Sequence, residues 1–229
     1  MSDKAVLFDL DGTLLDTLTD LADATNHALR SLGFPEHPRE SFRYFVGDGV
    51  ETLIQRVLPG DRCDAATMAE CASLMRREYG RRWAATTRPY NGIPELLDSL
   101  ASRGIPMAIL SNKPDEFTRL CVSQFLPGWQ FAAVLGAGTL FSRKPDPAGA
   151  REIARRLGVA PGEVVYLGDT NTDMQTAVAA GMFPVGALWG FRTADELTAS
   201  GAQALAERPL DLLLIIDGRA YMPAGQPLD

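Results

Sequence analysis

Two aspartates two residues apart, Asp9 and Asp11, stand at the end of a short apolar run over residues 5–8, and Gly12 and Thr13 follow them. An apolar run that ends in Asp reads as a buried strand with a polar group at its C-terminal tip. In open α/β sheets such tips are where ligands bind. Residues i and i+2 of a strand point the same way, so both carboxylates can face one pocket. Two anions about 4 Å apart repel by about 4 kcal/mol at an effective dielectric near 20. A bound cation would offset that, or one carboxyl would hold a proton. Both solutions serve phosphoryl transfer, with one carboxylate as nucleophile and its neighbour as the acid. An Asp-Gly hairpin turn is the plainer alternative. Leu18, Leu21, Ala22, Ala28, Leu29 and Leu32 recur at helical spacing, so a helix follows the turn and the hairpin is disfavoured.

Three later stretches carry groups that could work with this pair. Ser111-Asn112-Lys113 follows an apolar run; its hydroxyl and amide can donate to phosphate oxygens, or simply cap a turn. Lys144 precedes Pro145, which holds its backbone extended, so its ammonium can be aimed; a surface lysine opening a helix is the plainer reading. Gly168-Asp169-Thr170-Asn171-Thr172-Asp173 places acids between a strand and a helix. Such acids suit a hard cation, and one of them can instead cap the helix.

The elements that must position these groups alternate. Strands are expected at 4–9, 106–110, 131–135, 163–167 and 184–188, with a short one near 203–206. Helices are expected at 93–102, 115–125, 146–157 and 172–180, and a last helix over 210–216. This βαβ alternation predicts an α/β fold, a Rossmann-like parallel sheet core with helices on both faces. Residues 16–87 read as almost wholly helical, with one face of a helix over 65–83 formed by Met68, Ala72, Met75 and Tyr79. We read this block as a small all-helical cap domain inserted into a core of residues 1–15 and 88–229. A separate helical domain with its own role is the alternative. The last residues, with Pro223, Gly225 and Pro227, read as a loose tail.

Composition narrows the function further. The 229 residues are 46% hydrophobic, enough for a full core, and the net charge is −7 with no long run of Lys or Arg. That argues against nucleic acid as a partner, and no apolar run approaches membrane-spanning length. The three cysteines, Cys63, Cys71 and Cys121, include no Cys-x-x-Cys pair, which fits a reducing cytoplasmic compartment. His27 and His37 read as ordinary surface or core residues. An acidic protein acting on an anion must concentrate positive charge locally, at isolated basic residues near strand tips.

Asp9-Leu10-Asp11-Gly12-Thr13, Ser111, Lys144-Pro145 and Asp169 with Asp173 occur in the order of, and together resemble, the four motifs of the haloacid dehalogenase-like hydrolases. The resemblance covers nearly the whole chain. Within that superfamily, Gly47-Asp48-Gly49 with Arg56, and Trp189-Gly190-Phe191-Arg192, look most like phosphoglycolate phosphatases. Two departures stand out: Asp48 where that subfamily commonly has Asn, and Gly136-Ala137-Gly138 where it commonly has Gly-Gly-Asp. The resemblance implies a Mg²⁺-dependent phosphatase that hydrolyses a small phosphate monoester, 2-phosphoglycolate first among them, through an aspartyl phosphate. It implies Asp9 as nucleophile, Asp11 as acid and base, and Lys144 paired with Asp9 and the phosphoryl group. Mg²⁺ would be held by Asp9, the carbonyl of Asp11, and Asp169, with Asp173 orienting ligands from behind. Gly12, Ser111 and Asn112 would bind phosphate, and Gly47, Asp48, Gly49 and Arg56 would select the substrate. The expected partner is a small phosphorylated metabolite, and the protein a monomer or homodimer. A β-phosphoglucomutase-like phosphomutase, a phosphatase for another small ester, and a non-catalytic binding protein are the alternatives. A dehalogenase is disfavoured because those relatives lack the second Asp.

Overall fold

The computed structural model describes residues 5–138 and 141–218. The chain forms two compact units, one running to Leu15 and resuming at Pro89, the other Asp16–Arg88. In chain order the elements are β1 (Ala5–Phe8), β2 (Leu15–Asp16), α1 (Leu18–Ser31), α2 (Phe42–Phe45), α3 (Val50–Val57), α4 (Ala65–Arg82) and β3 (Arg88–Pro89). There follow α5 (Ile93–Ser102), β4 (Met107–Pro114), α6 (Asp115–Phe125), β5 (Ala133–Ala137) and α7 (Ala148–Leu157). The last are β6 (Val164–Gly168), α8 (Asn171–Ala180), β7 (Phe183–Ala187), α9 (Ala194–Ala199), β8 (Ala204–Ala206) and α10 (Asp211–Ile216). The tail with Pro223, Gly225 and Pro227 lies outside the described residues.

The first unit is a six-stranded sheet in the order β5-β4-β1-β6-β7-β8. Each neighbouring pair runs parallel. This is the Rossmann-like α/β fold. Strand β1 is central because every residue in it is apolar and none has exposed surface; parallel strands covered on both faces read as such runs. Ala5 and Leu7 belong to a core with Ala150, Ile153 and Ala177 of α7 and α8. Val6 and Phe8 point the other way and are equally buried, so helices cover both faces. The chain moves to one side of β1 through β4 and β5, and to the other through β6, β7 and β8. Such a reversal of strand order opens a crevice beyond the strands' C-terminal ends, where a ligand can enter.

The second unit is helical. Its α4 buries Cys71, Met75 and Tyr79, a strict four-residue spacing. Met68 and Ala72, expected on that face, are half-buried. Asp20 in α1 has no exposed surface. Its carboxylate accepts the Thr86 N–H (3.0 Å) and hydroxyl (2.8 Å) and the Thr87 N–H (2.9 Å) and hydroxyl (2.8 Å). These bonds outweigh the effect of burial and hold the Asp20 carboxyl below the ordinary carboxylate range.

Five elements depart from expectation, two of them the two-residue strands β2 and β3, which fall where no strand is expected. Strand β4 does not stop at Leu110 but continues to Pro114, because Pro114 pairs with Ala137 of β5 after a register shift. Strand β5 accordingly starts and ends two residues later than the apolar run suggests. Helix α9 falls where no element is expected, although Thr193 and Glu196 form its capping box. No helix among the described residues is long and apolar enough to cross a membrane.

Candidate active site

Asp9 directly follows β1, Asp169 directly follows β6, and Asp173 lies in the first turn of α8. One carboxylate oxygen from each lies within 4.8 Å of the others. Asp9 is 5% exposed, and Asp169 and Asp173 not at all. At that spacing each pair of charges repels by about 3 kcal/mol at an effective dielectric near 20. Lys144 answers part of this. Its Nζ donates to Asp9 Oδ1 at 2.8 Å and to Asp173 Oδ1 at 2.6 Å, and its side chain is buried. It does not sit at a strand tip as expected; it reaches the cluster from the loop between β5 and α7.

Each acid is held by a different set of donors. Asp169 accepts the Thr13 hydroxyl on Oδ1 (2.8 Å) and the Phe191 N–H on Oδ2 (2.9 Å). Asp173 accepts the Tyr166 hydroxyl at 3.2 Å, and its other oxygen takes the Thr170 hydroxyl at 2.6 Å and N–H at 3.1 Å. It therefore anchors Lys144 and closes the start of α8 at once. Asp11 stands apart from the three. Both its oxygens accept from Lys113 Nζ, at 3.0 and 3.1 Å. Asn112 grips the Lys144 main chain at two points: its amide N–H donates to the Lys144 carbonyl (3.1 Å), and its amide oxygen accepts the Lys144 N–H (2.8 Å). Ser111 is buried, and its hydroxyl oxygen accepts the Lys113 N–H at 3.2 Å.

Glycines let these groups close up. Gly12 adopts φ +91°, and a Cβ there would strike the Asp169 carboxylate. A Cβ at Gly190 would strike Asp169 as well, and one at Gly168 would strike Asp173.

The electrostatics follow from the crowding. Burial, reinforced by Asp173, pushes the Asp9 carboxyl up to about 7, with Lys144 opposing the rise. Burial and the charges of Asp9 and Asp173 raise Asp169 well above the ordinary carboxylate range. Burial alone would push the Lys144 ammonium down, but Asp173 and Asp9 outweigh it and hold it well above its usual value.

A family model described as haloacid dehalogenase-like hydrolase matches residues 6–187, a span that includes every one of these acids and both lysines. The chain belongs to that hydrolase family. A phosphoglycolate phosphatase of Pseudomonas putida is 35% identical over 96% of this chain and 79% of its own length. One of Aquifex aeolicus is 30% identical over 93% of this chain and 97% of its own. A predicted phosphoglycolate phosphatase from Haemophilus somnus, whose crystal structure is known, superimposes with a TM-score of 0.85 at 27% identity, covering 93% of this chain and 97% of that one. The chain is a phosphoric monoester hydrolase.

The donor set of this hydrolase fits a hard divalent cation. Four carboxylates, Asp9, Asp11, Asp169 and Asp173, are met by two ammoniums, Lys113 and Lys144. Two negative charges stay uncompensated when all are ionised, and the oxygen-only cluster is what Mg²⁺ prefers over softer metals.

In the helical unit, Arg56 donates to the carbonyls of Tyr44 and Phe45 at 3.2 Å each, and to Asp48 at 2.5 Å. It thus closes the C-terminal end of α2, and the Asp that replaces the subfamily's Asn between Gly47 and Gly49 is its ionic partner.

Sequence reasoning assigned no site role to four contributors: Lys113, Thr13, Tyr166 and the Trp189–Phe191 loop. Lys113 had a signal, since the i, i+2 rule that pairs Asp9 with Asp11 also sets Lys113 on the side of Ser111. The loop stood out only through the resemblance, and nothing in its residue types points to a role. Its contributions are a main-chain N–H to Asp169 and the Trp189 Nε1–H, which donates to the Thr13 carbonyl at 2.9 Å.

Proposed function

We propose that this hydrolase cleaves 2-phosphoglycolate, or a small phosphate ester close to it, in the cytoplasm through an aspartyl phosphate on Asp9. The observation that carries the reading is the Lys144 bridge between Asp9 and Asp173, in a buried cluster with Asp169. The bridge fixes the plane of the Asp9 carboxylate and leaves it one oxygen without Lys144. That oxygen attacks phosphorus, and the bond from phosphorus to the ester oxygen breaks. The Asp11 carboxyl gives its proton to the departing alkoxide. It then takes one from the water that cleaves the acyl phosphate, which regenerates Asp9 and releases phosphate.

Lys144 stays beside Asp9 throughout and opposes the charge that builds on the phosphoryl oxygens. The Ser111 hydroxyl holds those oxygens; the Gly12 N–H, expected to join it, is instead taken by the Leu15 carbonyl at 2.9 Å, and Asn112 serves by keeping the Lys144 backbone in place. Mg²⁺, held by Asp9, Asp169 and the Asp11 carbonyl, would supply neutralisation of the anionic substrate. Residues 16–87 act as a cap that excludes water and selects the leaving group. The 30–37% identical relatives named phosphoglycolate phosphatase support the choice of substrate.

The test is Asp9→Asn assayed on p-nitrophenyl phosphate with Mg²⁺. A rate lower by about 10³-fold or more is expected. Turnover at the wild-type rate would remove Asp9 as the nucleophile.

A further inference from the structure

We propose that Lys113 recognises a carboxylate on the leaving group of the substrate, and that this carboxylate competes with Asp11 for the ammonium. The inference rests on the reading of Asp11 as the acid facing the ester oxygen.

The contact itself is the first ground. Lys113 Nζ meets the two Asp11 oxygens almost symmetrically, at 3.0 and 3.1 Å, with 2% of the lysine side chain and 12% of the aspartate side chain exposed. That is how an ammonium seats a whole carboxylate. An ammonium this deeply buried is costly to strand without an anion. When Asp11 turns to the ester oxygen, Lys113 gives up a partner. A neutral alcohol offers no replacement; a carboxylate does.

Reach is the second ground. A general acid works within about 2.6–3.2 Å of the atom it protonates, and Lys113 Nζ lies 3.0 Å from the Asp11 carboxylate. A carboxylate one carbon beyond the ester oxygen therefore falls within reach of Nζ. A carboxylate several carbons further along the leaving group would overshoot it.

Composition is the third. The chain has three lysines, Lys4, Lys113 and Lys144, and otherwise uses arginine. Two of the three are buried in this one site. An ammonium is a compact point charge that can exchange one carboxylate for another, where a guanidinium would fork rigidly onto one. Lys144 is bound to Asp9 and Asp173, and Arg56 directs its donors to Asp48 and two carbonyls. Lys113 is the cation beside the group that serves the leaving oxygen.

The experiment compares 2-phosphoglycolate with ethyl phosphate, an ester of similar size without the carboxylate, on wild type, Lys113→Met and Lys113→Arg with Mg²⁺. Wild type should favour 2-phosphoglycolate in kcat/KM. Lys113→Met should lower that preference by about tenfold or more, mainly through the KM for 2-phosphoglycolate, and Lys113→Arg should keep more of it than Met does. Glycolate should compete with p-nitrophenyl phosphate on wild type, and ethylene glycol at the same concentration should not; this arm needs no variant to fold. An equal loss on both esters in Lys113→Met would overturn the inference, as would a wild type blind to the carboxylate or to glycolate. If wild type hydrolyses ethyl phosphate as well as 2-phosphoglycolate, the phosphatase reading stands and this one falls. If it hydrolyses no ester, both fall.

Discussion

Asp20 and Asp169 are the same residue with the same lack of exposed surface, yet their surroundings drive them in opposite directions. Asp20 receives hydroxyl and N–H donors from both Thr86 and Thr87, which hold its carboxyl low. Asp169 receives two donors, too few to offset burial, and faces two further carboxylates, which with burial hold it high. The first carboxylate is satisfied by its own unit and serves stability. The second is left under-compensated and is stable as an anion only with a cation beside it. Burial alone therefore does not mark a functional acid; the balance between donors and like charges does.

Replacing each residue in turn tests this contrast most severely. Asp169→Asn should lower phosphatase activity by about 10³-fold, while its melting temperature in EDTA at pH 8 equals or exceeds that of wild type, since a repelling charge is gone. A clear loss of stability in EDTA would break the comparison from that side. Asp20→Ala should do the reverse, costing about 3 kcal/mol in urea unfolding because buried donors lose their acceptor. A neutral result would make Asp20 dispensable.

The pH dependence sharpens the contrast. Carboxyls raised in the folded state keep protons that the unfolded chain has released. The stability that Asp9 contributes is complete below about 3.8 and lost as pH rises towards about 7 in metal-free protein. Melting temperature in EDTA should therefore fall across that window through Asp9, and added Mg²⁺ should restore it most at the upper end, where binding displaces the fewest protons. Asp20, held low, works the other way and favours folding above its ordinary range. The smallest effect belongs to Trp189→Phe. Losing the hydrogen bond to Thr13 should loosen the loop that donates to Asp169 and weaken Mg²⁺ binding in calorimetry by about 3- to 10-fold. An unchanged affinity would remove the loop from the account.

Legibility in the sequence follows the same physical divide. Strand β1 could be read because an unbroken apolar run ending in acid fits little but a buried strand, and the parity of Asp9 and Asp11 named their shared face. The acids at 169 and 173 were visible because they sit where a strand hands over to a helix. What the sequence hid was pairing across distance. Nothing local says that Lys113 belongs to Asp11, that Asn112 clamps Lys144, or that the main chain of Phe191 finishes Asp169. Such contacts exist only once β4, β1, β6 and β7 stand in that order in the sheet. Nor did the Gly-Asp-Gly stretch announce that its Asp48 is tied to Arg56, because a charged loop residue reads alike whether it meets a ligand or a neighbour. The end of β4 was misplaced for a related reason: polar residues at a strand tip resemble a turn until the partner strand is known.

Gly12, Gly168 and Gly190 bear no functional group, yet each leaves no room for a methyl beside Asp169 or Asp173. Anyone redesigning this enzyme for a new ester meets a boundary there. A library that preserves every acid and lysine but randomises these three positions will consist largely of inactive clones, while diversity placed away from the residues that touch the acids leaves their cluster its shape.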